Sequence, residues 1–520
     1  MEKVSTKSFF WFWALLGLAS VVLIWFLPWR FQTNDDELMM WMVSGAYTGE
    51  PESFAVFIHP ILSWSFSKLY TFSPAIPWYP LTWFLAIYLG YFGLLKVLFQ
   101  RNLANSQAKK VIAFILFCLI VHFSFFLQFT IVAGFVGLGG FSLLILGSSK
   151  IRFSQLIFPI LLVSISILIR WESFVLIGLG ICSYLLFLDL EFLKKKFPIL
   201  TLILLLFLAG FFSRIYWEKS SSFAEFITYN KARAAVSDHP VTFRLQSEEK
   251  ISPESKWFYF SQWMMEDDGI SILELAERKS LLDKGLFDFR QLESSFSRLI
   301  AVLKVEAFKT IFSIILILGF FYSSVKRRLK LLFFLSWVLF FLVFNHFNIL
   351  NGRVVILFVF PLIASLCSSR IYLGTKLSYL IQIGLLVILG FHLKNILQEG
   401  RGREIMRTEF LSLQKEIPRN SLIVLEGYKE NYLGFDYSSN RPVPFISLGW
   451  ISKSSFQRKT LNRIGLNSIF EAEDYYLFGV DVNEEFFFID YMNLGSENYQ
   501  LIEKKESDNW ILFHFKKENL

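Results

Sequence analysis

The sequence predicts an α-helical polytopic membrane protein with about 11 transmembrane helices, followed by a small C-terminal α/β domain. Three observations carry this. Apolar runs about 20 residues long, the length that crosses a bilayer, recur from residue 9 to residue 394. The chain is 54% hydrophobic, with a mean hydropathy of +0.49, and its 18% of charged residues are spread very unevenly. Beyond residue 398 the composition becomes that of an ordinary soluble sequence.

Taken in order, the apolar runs place spans near residues 9–28, 81–99, 111–131, 133–149, 153–169, 174–190, 198–215, 303–323, 331–347, 353–369 and 377–394. The first follows Lys3 and Lys7 but lacks a small-residue cleavage site, so it is expected to be retained, with the amino terminus cytoplasmic. Each inner connection is then basic: Arg101, Lys109 and Lys110; Lys150 and Arg152; Lys194, Lys195 and Lys196; Lys326, Arg327, Arg328 and Lys330; Arg370 and Lys376. The net charge of +8 therefore follows from topology and gives no reason to expect nucleic acid as a partner. Cys118, Cys182 and Cys367 all lie inside apolar runs, where cysteine behaves as a small hydrophobe.

This divides the chain into a membrane domain, 1–398, and a soluble outer domain, 399–520. The membrane domain has two large outer loops, 31–80 and 216–301. The first contains a turn-rich stretch, Ser44 to Pro51, and a partly apolar run, Ala55 to Tyr70, suited to an interfacial helix. The second has helical patterning over Phe223–Val236 and Ile270–Leu299. In the tail a helix is expected over 402–416 and strands over 421–425, 486–491 and 510–515. With a core of its own, this tail should be removable after Glu399 without disturbing the bundle.

Polar residues at the membrane edge gather on the outer side: Asp35, Asp36, His59, Arg170, Glu172, Arg214, Asn230, Arg233, Asp238, His239, Asp267, Asp268, His346, Asn351 and Arg353. Charges at a membrane boundary are costly to keep, so three acids in a row, Asp35, Asp36 and Glu37, just after the first span suggest function. Two adjacent acids also exceed what a helix cap needs. Arg353 could instead snorkel, Arg170 could simply pair with Glu172, and His59 and His346 could be satisfied interfacial histidines. A one-sided cluster suits transfer from a membrane-embedded activated donor, with a carboxylate as base and arginines on the departing phosphate.

Asp35-Asp36 occupies the place where protein O-mannosyltransferases and aminoarabinose transferases carry an Asp-Glu pair, and the layout resembles GT-C-type integral membrane glycosyltransferases. Asn34-Asp35-Asp36 with Met39, Ser44-Gly45, Tyr47-Thr48-Gly49 and Pro51, together with Tyr229-Asn230-Lys231-Ala232-Arg233 and Asp238, is similar to uncharacterised bacterial GT-C-like membrane proteins. The resemblance covers roughly residues 9–394. It implies Asp35 as general base, Asp36 as a helper positioning the acceptor or a metal, and Arg353 and Arg233 as candidates for the donor phosphate, while the departure from an Asp-Glu pair leaves open which of the two acids is the base; Arg170 and His346, at the same outer edge, join the phosphate candidates. His59, Glu172, Asn230 and Asp238 would position the acceptor or the loops.

The expected activity is inverting transfer of a sugar from a polyprenyl-phosphate donor to a lipid or surface-glycan acceptor, at the periplasmic face of a bacterial inner membrane. The sequence leaves the sugar, the acceptor and any divalent metal open. Rival readings are a lipid-linked oligosaccharide flippase, a surface polysaccharide polymerase or ligase, and a non-catalytic membrane scaffold.

Overall fold

The computed structural model describes residues 2–101, 104–147, 153–188, 190–248, 250–252, 255–266, 269–305, 309–319, 327–426, 443–494 and 498–518. Lys150, Arg152, Asp267, Asp268 and Lys326 lie outside these residues, as do parts of the expected 303–323 span.

Helix α1 (Glu2–Trp25) gives way at Pro28 to a two-residue strand, β1 (Arg30–Phe31). In α2 (Asn34–Ser44) the acids Asp35, Asp36 and Glu37 all fall in the first turn, where the helix dipole favours negative charge. Gly45, at φ +83°, ends that helix in the left-handed region, and a Cβ there would meet the Glu50 backbone at 2.6 Å, so the Ser44-Gly45 pair has a structural cause. The partly apolar run forms α3 (Pro60–Phe72), with proline at a position whose N–H has no helical partner.

Helices α4 (Trp78–Arg101) and α5 (Ser106–Phe125) lead to a second short strand, β2 (Phe126–Leu127), and then to α6 (Phe129–Leu146). The spans expected over 111–131 and 133–149 put the turn near residue 132; the chain turns instead at Gln128, whose side-chain oxygen accepts from the Ile131 N–H at 2.9 Å and starts the new helix. Gly134 is needed for packing: a Cβ there would lie 2.2 Å from the Leu357 side chain. Strands β1 and β2 pair in parallel, Arg30 with Phe126 and Phe31 with Leu127, which sets the first turns of α2 and α6 side by side.

The next helix, α7 (Phe153–Leu188), holds both the 153–169 and the 174–190 spans. Arg170 has φ −157° and ψ 102°, and the chain reverses there. Gly140 faces Pro159 and Leu162, Gly137 faces both Ser166 and Phe174, and Phe141 faces Gly178, so two limbs run in opposite directions along α6. After α8 (Leu190–Lys195) come α9 (Phe197–Ser220), α10 (Ala224–Ser237), α11 (Pro240–Ser247), α12 (Lys256–Ser261), α13 (Ile272–Gly285), α14 (Phe289–Val305), α15 (Lys309–Ile317), α16 (Arg327–Phe347), α17 (Gly352–Ser368) and α18 (Thr375–Gln414). Among the described residues, eight helices are long and apolar enough to cross a membrane, which makes this a helical membrane protein.

The boundary expected at 398/399 falls inside α18, whose 40 residues extend about 60 Å without a break. Beyond it are β3 (Leu422–Leu425), β4 (Phe445–Ser447), α19 (Ser455–Asn462), a 3₁₀ turn at Ile469–Glu471, β5 (Asp474–Gly479), α20 (Phe487–Asn493), β6 (Tyr499–Glu506) and β7 (Ile511–Lys517). They form one five-stranded sheet in the order β4-β3-β5-β7-β6, with β3 parallel to both neighbours and the β5–β7 and β6–β7 pairs antiparallel. The strand expected over 486–491 is the helix α20. Its buried residues Phe488, Ile489 and Met492 follow a helical spacing, and the Glu426 carboxylate accepts from the Phe488 N–H at 2.9 Å.

The tail has a buried cluster of its own on one face of its sheet, shared with Tyr259 and Met264 of the second outer loop, but its other face is not separate from the bundle. Phe445 packs edge-on against Trp41, with ring centres 5.0 Å apart, and Phe456 stacks on Phe223 at 5.0 Å. One buried cluster runs unbroken from the membrane helices into one face of the sheet. The first outer loop packs under that face, so removing the tail would uncover it.

Candidate functional site

The two adjacent acids at the start of α2 have opposite environments. Asp36 has no exposed surface. Its carboxylate accepts from the Tyr79 hydroxyl at 3.0 Å, the Trp83 indole at 3.2 Å, the Phe129 N–H at 3.2 Å and the Thr33 hydroxyl at 3.5 Å. Tyr79 and Trp83 stand four residues apart on one face of α4, and Phe129 opens α6 beside β2. Burial pushes the Asp36 carboxyl up to about 7 against these donors, with a further push from Asp35. Asp36 therefore ties α2 to α4 and α6, its carboxylate engaged by four donors.

Asp35, one residue earlier, is partly exposed and is met from far along the chain. Arg353, in the first turn of α17, donates from Nη1 to Oδ2 at 3.0 Å. Trp450, after Gly449 at φ +104°, donates from Nε1 to Oδ1 at 3.2 Å. The Trp450 ring meets Phe57 at 4.7 Å, Phe57 stacks on Phe129 at 6.3 Å, and the Arg170 guanidinium lies 4.9 Å from the centre of the Phe129 ring. Val56 holds φ +58°, a costly conformation for a β-branched residue; Arg214 donates to its carbonyl at 2.9 Å and to that of Phe57 at 3.3 Å.

Arg170 sits at the reversal of α7, 3.8 Å from Glu172, and feels the charges of Asp35 and Arg353. Arg233 is buried on α10, donates to Asn230 at 2.8 Å and Ser237 at 2.9 Å, and lies 5.3 Å from the centre of the Trp263 ring. Burial lowers its proton affinity while Asp238 and Asp35 raise it. Asp238, next to Ser237, is pushed up by burial and drawn down by Arg233, and it feels Asp35 and Arg353. Asp35, Arg170, Arg233, Asp238 and Arg353 thus form one electrostatic group.

Two of the expected residues are not brought into it. His59 caps α3, its Nδ1 accepting from the Ile61 N–H at 3.1 Å, while Nε2 lies 3.1 Å from both the Gly210 carbonyl and the Ser213 hydroxyl on α9. Burial lowers its proton affinity. His346 ties the end of α16 to α14, with Nε2 2.9 Å from the Leu286 carbonyl and Nδ1 3.4 Å from the Ser295 hydroxyl. Both rings are engaged in joining helices.

Tyr79, Trp83, Trp263 and Trp450 were not anticipated. Tyr79 and Trp83 had a signal, two polar-tipped aromatics at i, i+4 where a span begins; Trp450 had none. Around Asp35 the neighbours are guanidinium groups and an indole N–H, a set that fits an anion and not a divalent cation. Among the described residues, no cluster of three or more His, Cys, Asp and Glu is placed to hold a metal. The chain matches no protein-family model, no curated protein and no solved structure.

Proposed function

We propose that this chain is a GT-C-type glycosyltransferase that moves a sugar from a polyprenyl-phosphate-linked donor to a lipid or surface-glycan acceptor. The observation that carries the reading is the partly exposed Asp35 carboxylate paired with Arg353, with Arg170 and Arg233 within electrostatic reach. A base and a set of phosphate-binding cations belong together where an acceptor hydroxyl attacks and a phosphate leaves.

In this reading Asp35 takes the proton of the acceptor hydroxyl as its oxygen bonds to the anomeric carbon. The bond from that carbon to the phosphate oxygen breaks, and its electron pair leaves on polyprenyl phosphate. Attack opposite the leaving group inverts the anomeric centre. Arg353 has two uses: it neutralises Asp35 at rest and turns to the donor phosphate when that arrives, which frees Oδ2 to accept the proton. Asp36 holds the turn that presents Asp35. We place the reaction at the periplasmic face of a bacterial inner membrane, with eleven crossings when the two limbs of α7 are counted separately and α15 and α17 are included, and with the sheet as a periplasmic α/β domain.

The test is transfer of labelled sugar from a panel of polyprenyl-phosphate sugars in membranes containing wild type or Asp35→Asn protein at equal abundance. Transfer by wild type and its loss in the variant supports the reading. Normal surface glycan in cells carrying only the variant overturns it in favour of a scaffold or flippase.

A further inference from the structure

We infer that Trp450 is a positioning residue for Asp35, so that the C-terminal sheet segment completes the reaction site. This rests on the glycosyltransferase reading. Once Arg353 turns to the donor phosphate, the indole N–H is the hydrogen bond that still fixes the carboxylate, leaving Oδ2 directed to the acceptor. A base that swings between rotamers loses the alignment on which general base catalysis depends.

The geometry suits a fixed post. Trp450 is 8% exposed, and its ring is seated against Phe57. The loop carrying it and the helix α19 that follows are held by both outer loops. On one side the Thr460 hydroxyl donates to the Tyr47 carbonyl at 2.9 Å, within the turn that follows α2. On the other, Gln457 donates to the buried Glu266 at 2.8 Å, and a Cβ at Gly449 would lie 3.1 Å from Trp263, the ring that carries Arg233. One loop therefore joins the base to an arginine of the donor set, and a loop serving only to cover the bundle would have no need to send a polar ring atom to Asp35.

Trp450→Phe keeps the ring on Phe57 and removes only the N–H. The expected result is a kcat lowered about tenfold, the worth of one hydrogen bond to a charged group, with the donor KM within about twofold and the acid limb of the pH–rate profile moved to higher pH. Unchanged kcat and pH profile overturn the inference, and so does an equal loss of kcat and thermal stability, which marks a packing role. Fluorine NMR of protein carrying 5-fluorotryptophan adds a readout that needs no turnover, because the Trp450 signal is the one missing from Trp450→Phe. That signal should shift in Asp35→Asn protein. A signal that does not move overturns the contact whatever the transfer assay gives; a signal that moves in a protein that transfers nothing overturns the enzyme reading, and the catalytic use of Trp450 with it.

Discussion

Arg353 and Asp35 lie 318 residues apart in the chain and 3.0 Å apart in space, with side chains that are 22% and 18% exposed. The access that remains lets water take the place of a lost partner, so the pair can exchange partners without unfolding the chain. Asp35→Asn should therefore lower the melting temperature by no more than a few degrees while abolishing sugar transfer. Calorimetry and the transfer assay on one preparation separate the two effects, and a large loss of stability would show that Asp35 is a structural anchor like its neighbour.

Arg353→Lys tests the other half of the pair. Lysine keeps the charge but loses the planar fork that holds a phosphate through two parallel bonds. Donor KM should rise about tenfold or more, while stability stays within about 1 kcal/mol of wild type. Parallel changes in donor use and melting would instead favour an arginine that merely snorkels at the interface.

The first half of this site was legible in the sequence, because three acids following an apolar run stand out in a chain so poor in charge. Arg170 and Arg353 were legible for the same reason, each at the edge of a span. That Asp36 is sealed and Asp35 is not was illegible, since the donors that seal it lie 43, 47 and 93 residues away. His59 and His346 have the residue type of a site but the geometry of caps and ties, a distinction made only by what surrounds each ring. The soluble composition of the tail predicts an independent domain. Composition records what faces water, and the aromatic face that docks on the outer loops is a small part of it.

The sealed Asp36 predicts a pH dependence with a definite sign. Its carboxyl rises from an ordinary 3.8 to about 7 in the fold, so between those values the folded chain holds a proton that the unfolded chain has released. Its contribution is thus fully present below about pH 4 and is lost as the pH climbs to about 7. Asp36→Asn cannot titrate and turns an amide N–H toward groups that also donate, so it should be less stable at every pH. The gap between wild type and variant should narrow from about pH 4 to about 7 and then level off. Thermal unfolding of both proteins across that window measures it directly, and a gap independent of pH would mean that the four donors hold Asp36 ionised throughout.

Truncation after Gln414 asks whether the sheet is an ornament or a wall. It would remove Phe445 from Trp41, Trp450 from Phe57, and Phe456 from Phe54 and Phe223. Each such aromatic buries about 150–250 Å², so the loss is on the order of 10 kcal/mol before any relaxation of the exposed loops. That is comparable with the whole stability of a folded domain. The truncated chain should aggregate in detergent or elute as a heterogeneous species, and the 31–80 loop should become open to limited proteolysis. A monodisperse truncated protein with wild-type protease resistance in that loop would show that the membrane helices alone hold Asp35 in place, and the role inferred for Trp450 would have to be carried by a group inside the bundle.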